Sequence, residues 1–402
     1  MEVWLPYGRS EIPVRVPEER LVDIFKINSD FPLPDPTAEA TRLLTSNETF
    51  LRKASQAARI CVVLGSCGNG QMSVNLTRGV LNAINNPQAS TSILCTRESP
   101  ELDSSTTEGA KMLRHSPKSE TKDISVTKYG LTPQVNSEFV RADVRILVGE
   151  LRPHQFLKYA GLCDLVFPLL GSQSSVISHL SDRQGLSLDD LHAERMEIIK
   201  SFENTFLLGL ALDADSRPTA IIFDEIDNCM RTLEPIIDER CTRKIGKRSD
   251  IVVMSAGGAP FDTTLDLAVE VLPAGLNILK KDGVLIIAAE CQGGHGGGQF
   301  YEWSAEHKEP RYLEARLRRK FSYEGFKASY LGRTLQTHRV YLVSTIPDHY
   351  VESIFDIRPS QTVNAALQTA QRAHGADSMI SVIPNASHVT PKLLEAGTMQ
   401  GS

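Results

Sequence analysis

The chain has 402 residues, 41% of them hydrophobic and 23% charged, with a formal net charge of −6. That length exceeds one ordinary core and predicts two domains, and the dispersed negative balance argues against a nucleic-acid partner. The seven cysteines lack CxxC or zinc spacing, which predicts buried thiols in a reducing compartment. With no signal-peptide pattern and no apolar run near 18 residues, a cytoplasmic protein off the membrane is expected.

Strand formers at residues 3–5 and 12–16 flank Tyr7-Gly8-Arg9-Ser10 and predict a hairpin, which Pro13 and Pro17 place at an edge. FPLPDP, residues 31–36, reads as an extended linker, and a helix follows from Thr37, amphipathic over residues 41–58. ICVVL, residues 60–64, reads as a strand buried on both faces; it leads into GSCGNGQMS, residues 65–73, and a helix over 74–84. Strand, glycine-rich turn and helix can form an anion site from amides at the helix N-terminus. The spacing is neither GxGxxG nor a P-loop, so a plain tight turn fits as well. Residues 90–95 suggest a strand, and the polar stretch to residue 127 a solvated loop.

The densest chemistry lies in residues 141–179. Residues 144–148 predict a buried strand broken by Gly149-Glu150, with Pro153-His154 just beyond, where open α/β sheets bind ligands. A second apolar run, residues 165–170, precedes the Ser-rich residues 172–178 and His179. An imidazole, with a pKa near 6.5, suits a general base at His154 and a metal ligand at His179. Composition alone leaves both as ordinary loop or surface histidines. One long helix is expected over residues 188–210, a strand from Pro218, a helix over 228–243, and a domain boundary in the basic cluster from Arg240 to Arg248.

The second unit opens with a strand at residues 250–254 and a turn at Gly257-Gly258, then a helix over 264–279 and a doubly buried strand at 284–289. ECQGGHGGGQFY follows, with five glycines around His295; so many glycines imply positive φ or close backbone approach. A flexible loop would look the same, but the place directly after a buried strand favours a site. A basic helix (310–320), a strand (339–344), a helix (363–373) and a strand (378–384) complete the pattern. The alternation predicts an α/β fold with parallel-sheet βαβ units in two domains. These are residues 1–245, closed by a returning segment 362–402, and residues 246–361.

SAGGAPFDTTLDLAVEVL, ECQGGHGGGQFY and GELRPHQFLKYAG, standing where they do, make the chain similar to the nickel-pincer lactate racemase family, from LPYG (residues 5–8) to SVIP (residues 381–384). The resemblance implies racemisation or epimerisation of a 2-hydroxy acid or sugar acid in the cleft between two α/β domains. It also implies a pincer nucleotide whose nickel takes hydride while a histidine takes the hydroxyl proton. It places that histidine at His154 and the nickel ligand at His179. The candidate cofactor contacts are Ser66, Asn69, Gly293, Gly294, His295, Gly296 and Gly297. The departures share a direction. The tether lysine falls on Asp164, so any pincer cofactor is expected to be non-covalent. An acidic–basic segment falls on residues 66–70 and loses both charges. No second histidine stands near residues 95–99, which leaves water or another residue such as Cys95 or Glu98, and a site lysine becomes Glu270. Phe326 takes an aromatic position, and Lys158 and Arg152 are the expected replacement cations. Two further readings stay open: a non-catalytic protein binding a metal or small anion on this scaffold, and a hydrolase or lyase using His154 with a metal at His179. The expected partner is a small hydroxy acid, and His154 and the loop 293–297 are expected to face each other across the cleft.

Overall fold

The computed structural model describes residues 1–27, 32–68, 70–96, 99, 107, 109–116, 118–183, 186–213, 215–306, 309–375 and 377–394. Two sheets carry the fold. Across its width the first runs Pro218–Glu225, Thr205–Leu212, Val144–His154, Arg59–Leu64, Ser90–Cys95 and Lys111–Arg114, parallel except for the first pair. The second runs Arg358–Pro359, Arg339–Val343, Leu279–Ala288, Ser249–Ser255, Ile380–Ile383 and Leu21–Ile24, all parallel. Helices cover both faces of each sheet, which is why the central strands read as unbroken apolar runs. Residues Ile60 to Leu64 and Val284 to Ile286 are at most 1% exposed. Each sheet accordingly has a core cluster on either side.

The α/β class, the N-terminal hairpin (Glu2–Tyr7 with Ser10–Arg15) and the strands after glycine-rich turns stand where the sequence puts them. Several elements differ. The strand at Val144 does not stop at Gly149 but continues to His154, because Lys158–Gly161 folds back against it as a hairpin. The long helix expected over 188–210 is two elements, Leu188–Lys200 and the strand Thr205–Leu212, separated at Asn204 with φ 54°. TFLLGLAL, an unbroken apolar run, pairs between two strands and is buried on both faces, so tertiary context decides its state. The helix expected over 264–279 is broken into Leu265–Ala268, a 3₁₀ turn at Val269–Val271 and Leu272–Leu276. The segment after Thr37 is two helices, Pro36–Ser46 and Glu48–Gln56, the second capped by the Asn47 side chain on Phe50 N at 2.9 Å.

The described part of residues 362–402 divides: Ile380–Ile383 inserts between Ser249–Ser255 and Leu21–Ile24 in the second sheet, while Thr390–Leu393 pairs with Thr242–Ile245, at the end of the expected first domain. The four residues of the inserted strand are fully buried in the second sheet, Ser381 with its hydroxyl bonded to that of Ser249 at 2.6 Å. The N-terminal hairpin packs on the same unit through Val3, Leu5, Val14 and Val16.

Candidate active site

The hairpin Val144–His154/Lys158–Gly161 projects beyond the first sheet, and its tip reaches the second unit. Three consecutive residues make three different contacts. His154 Nε2 lies 3.1 Å from Glu270 Oε2. The Gln155 side-chain amide donates to the carbonyls of Ala386 and Val389 at 3.2 and 3.0 Å. Phe156 packs edge-on against Phe326 and Tyr330, with ring centroids 5.1 and 5.0 Å away. Leu157, Leu191, Phe321 and Tyr323 complete an apolar seam between the units, and the backbones of Ser181–Arg183 and Phe321–Ser322 pair across it. His154 is thus set in a joint whose apolar contacts exclude water around it.

Glu270 is the hub of the joint. Its Oε1 accepts from the Tyr323 hydroxyl at 3.0 Å and from Lys327 Nζ at 3.2 Å. Lys327, 3% exposed, also binds Asp266 Oδ2 at 2.9 Å, and Thr264 donates to the other Asp266 oxygen at 2.5 Å. Burial opposes ionisation of Glu270, but Lys327 and then His154 outweigh it and hold its pKa at about 2. Lys327 shows the converse: burial pulls its pKa down, yet Glu270 and Asp266 carry it above its usual value. Tyr323 is pushed well above 10, first by burial and then by the Glu270 charge. Around His154 itself, Nδ1 accepts from the backbone N–H groups of Phe156 and Leu157, both at 3.2 Å. Those bonds assign the Nδ1 lone pair, so the neutral ring carries its hydrogen on Nε2 and donates it to Glu270.

Two further positions singled out in the sequence are held by consecutive residues of the helix Leu188–Lys200. Arg195, 2% exposed, pairs through Nη1 with Asp164, and its Nη2 donates to the carbonyls of Leu157 and Tyr159 at 3.2 and 3.1 Å. The other Asp164 oxygen takes the Gly161 N–H at 2.8 Å. Glu194 accepts from His179 Nδ1 at 2.6 Å and from Thr127 at 2.6 Å, and the His179 ring lies edge-on to Phe167 at 5.2 Å.

The glycine loop lies at the far end of the same network. A Cβ on Gly296, at φ 89°, would fall 1.9 Å from Asp266 Oδ1, so that position requires glycine, and one on Gly297 would push aside the Glu324 carboxylate, 2.4 Å away or less. An unbroken chain of polar contacts therefore leads from His154 through Glu270 and Lys327 to Asp266, whose amide donates to the His295 carbonyl at 3.2 Å. The amides at the two ends of the loop are bonded: Gly293 N to Thr263 O at 2.8 Å, Gly294 N to Cys291 O at 2.8 Å, and Gln299 N to Glu324 Oε2 at 2.8 Å. Glu324 thus occupies the anion position at the N-terminus of the helix Gly298–Glu306. His295 stacks obliquely on Tyr301 at 4.7 Å, and its Nδ1 is buried without a partner.

Ser66 lies beside Glu150, whose amide its carbonyl accepts at 2.8 Å, four residues and roughly 13 Å of strand short of His154. Asn69 and Glu98 lie outside the described residues. Cys95 is buried, and burial raises its thiol pKa. The expected replacement cations are not at the hub. Lys158 is exposed and pairs with Glu234 at 3.5 Å, and Arg152 stacks over Phe261 at 4.7 Å, against which His388 also packs. The cation that does sit there, Lys327, and the buried Arg195 on Asp164 were not singled out in the sequence. Lys327 lies in Tyr323–Thr337, a helix whose buried face holds Ser329 and Thr334 and which lacks a clean apolar stripe. A cavity of about 400 Å³ opens beside Lys53, Lys200 and Glu225 at the opposite end of the first sheet; both lysines are already ion-paired there.

The tether position assigned by resemblance does not fit a covalently held pincer nucleotide, because Asp164 is a carboxylate locked to a buried guanidinium. His179 bonds Glu194 through Nδ1, the kind of contact that orients a metal-binding imidazole. Among the described residues no three His, Cys, Asp or Glu side chains are arranged to hold a metal.

Two α/β units with largely parallel sheets meet at a buried acid–base cluster. Comparison with known proteins gives the family. Residues 7–181 match the lactate racemase N-terminal domain and residues 245–390 the lactate racemase C-terminal domain, and the chain belongs to the lactate racemase family. A lactate racemase from Thermoanaerobacterium thermosaccharolyticum is 29% identical over 266 residues, 63% of this chain and 62% of that protein; the match therefore spans less than two thirds of the relative's length. One from Lactiplantibacillus plantarum is 23% identical over 290 residues, 68% of each. The solved lactate racemase apoprotein from T. thermosaccharolyticum shares the fold with a TM-score of 0.80 at 23% identity, covering 98% of this chain and 100% of that one. A Thermotoga maritima protein of known structure matches with a TM-score of 0.62 at 11% identity, over 91% of this chain and 100% of that one.

Proposed function

We propose that the protein is a racemase-like isomerase of 2-hydroxy acids or sugar acids, with His154 carrying the hydroxyl proton. The observation that carries the reading is the His154–Glu270 contact. It joins an imidazole at the tip of one unit to a carboxylate from the other, inside a water-excluded joint. Nε2 is the nitrogen that faces the second unit. Uptake of a proton there requires the ring hydrogen to sit on Nδ1, so the bonds from Phe156 and Leu157 must release. At 3.2 Å they are long, which keeps that rearrangement inexpensive. Loss of the hydroxyl proton gives the keto acid only if the C2 hydrogen leaves as hydride, so the reading needs a hydride acceptor, which a non-covalently held nickel-pincer nucleotide would supply; Asp164, at the tether position, argues against a covalent one. Seven unpaired, buried cysteines support a reducing compartment such as the cytoplasm.

A second reading, a non-catalytic binder of small anions, is favoured by the same tautomer: as it stands His154 offers a donor, not a base. The test for both is to incubate purified protein, with and without added nickel, with 2-hydroxy acids and sugar acids and to follow isomer interconversion by chiral chromatography. General-base loss costs about 10²- to 10⁴-fold, and His154→Ala should lose activity on that scale. An unchanged rate removes His154 from the reaction, and no interconversion of any substrate leaves the binding reading.

A further inference from the structure

Three hydrogen-bond donors converge on one carboxylate, and the carboxylate belongs to the chain. His154 Nε2 faces Glu270 Oε2 at 3.1 Å; the Tyr323 hydroxyl and Lys327 Nζ reach Oε1 at 3.0 and 3.2 Å. A ring N–H, a phenol and an ammonium around two oxygens make a charge-assisted carboxylate cradle. What distinguishes it from an ordinary ion pair is that each donor is held by something other than Glu270. His154 is oriented by the Phe156 and Leu157 amides. Lys327 is anchored by Asp266 at 2.9 Å, itself fixed by Thr264. Tyr323 is packed with Phe156, Leu157 and Leu191 in the seam. The donors are therefore preorganised and would keep their places if Glu270 left. Glu270, by contrast, sits on the one-turn 3₁₀ segment Val269–Val271, between two short helices.

We propose that Glu270 is an internal stand-in for a small monocarboxylate: its side chain fills a carboxylate-binding site built by His154, Tyr323 and Lys327, and keeps that site closed. The ligand class is a carboxylate small enough to replace the end of a glutamate side chain. The site is the one invoked for the isomerase, so the inference rests on that reading for its biological use, though not for the binding itself. A site whose open form is a minor population binds with an affinity reduced by that fraction. Wild-type protein should therefore take free carboxylates weakly, and removal of the internal occupant should strengthen binding.

The experiment is calorimetric titration and thermal-shift measurement with formate, acetate and lactate on Glu270→Ala, Glu270→Gln and wild type, with chloride at equal ionic strength as control. Glu270→Ala is expected to bind at least one of the three about tenfold or more tighter than wild type, with a saturable rise in melting temperature. Glu270→Gln keeps the volume but loses the charge that Lys327 holds, and should show the same gain at reduced size; it decides the matter if the alanine variant does not fold. The double variant Glu270→Ala/Lys327→Met should lose the gain. Wild type binding as tightly as the variants would overturn the proposal. So would folded variants that respond no better to carboxylates than to chloride, or a double variant that binds undiminished. Carboxylate binding without isomerisation in any variant removes the isomerase reading and leaves this inference standing; isomerisation by wild type with no gain in the Glu270 variants does the reverse.

Discussion

Replacing Arg195 by Met would keep the length of the side chain and delete the guanidinium. In the intact protein that group neutralises Asp164 and satisfies the carbonyls of Leu157 and Tyr159, at 2% exposure. The variant leaves a carboxylate whose side chain is 14% exposed without its cation, and two carbonyls without a donor. Removing one partner of a buried pair costs about 3–5 kcal/mol. Unfolding entropy near 2.1 cal/mol/K per residue, taken over 402 residues, converts a loss of ~4 kcal/mol into a fall of about 5 °C in a single transition. If the first unit melts alone the fall is roughly twice that. Adding Asp164→Asn to Arg195→Met removes the uncompensated charge and should recover about 2 kcal/mol, a coupling that a double-mutant cycle reads directly. The assay is urea unfolding followed by circular dichroism, with scanning calorimetry for the melting temperature. A loss below about 1 kcal/mol for Arg195→Met, or no recovery in the double variant, would show that the pair is not the electrostatic lock described.

Glu270, with a pKa near 2 against its usual 4.5, adds stability that is complete above about pH 5 and disappears as pH falls toward 2. The gap corresponds to ~3 kcal/mol, so urea midpoints of wild type and Glu270→Gln should differ at pH 6 and converge by pH 2; a constant difference would contradict the assignment. Gly161 has φ 83° and ψ −106°, and a Cβ there would lie 2.4 Å from the Glu150 carbonyl oxygen. Gly161→Ala should therefore cost about 2–3 kcal/mol in urea unfolding, and a neutral outcome would mean the hairpin can relax. All seven thiols are buried, and burial pushes Cys61, Cys67, Cys163, Cys229 and Cys241 to about 12. Native protein should therefore be nearly inert to Ellman's reagent while urea-unfolded protein titrates all seven; fast native labelling would refute the burial.

What the sequence disclosed follows from where its signals are local. Doubly buried strands such as ICVVL and VLIIAA announce themselves, because apolar runs between glycine turns have few other uses. His154 was legible for a related reason: a histidine just past such a strand sits at the cleft end of the sheet. The partners of that histidine were not legible. Lys327 and Arg195 are charged residues on helices, indistinguishable in sequence from solvated ones, and only packing shows that each is buried against carboxylates from distant segments. Glu270 could be recognised as a charge reversal, yet its role depends on a lysine 57 residues further on. The strand Thr205–Leu212 was misread because leucine- and alanine-rich runs suit either state until a sheet position claims them.

The threading of the second sheet has a consequence for the order in which the chain matures. Leu21–Ile24 emerges early during synthesis, but its only strand neighbour among the described residues is Ile380–Ile383, near the other end. The first sheet draws all its strands from Arg59–Leu64 through Pro218–Glu225 and can close while the ribosome is still translating the rest. In the second, Leu21–Ile24 has no strand to pair with until Ile380–Ile383 is released. A chain halted at residue 375 should therefore carry a protease-resistant core from the interior segment, flanked at both ends by cleavable polypeptide; equal resistance of both halves would show that the late strand is dispensable.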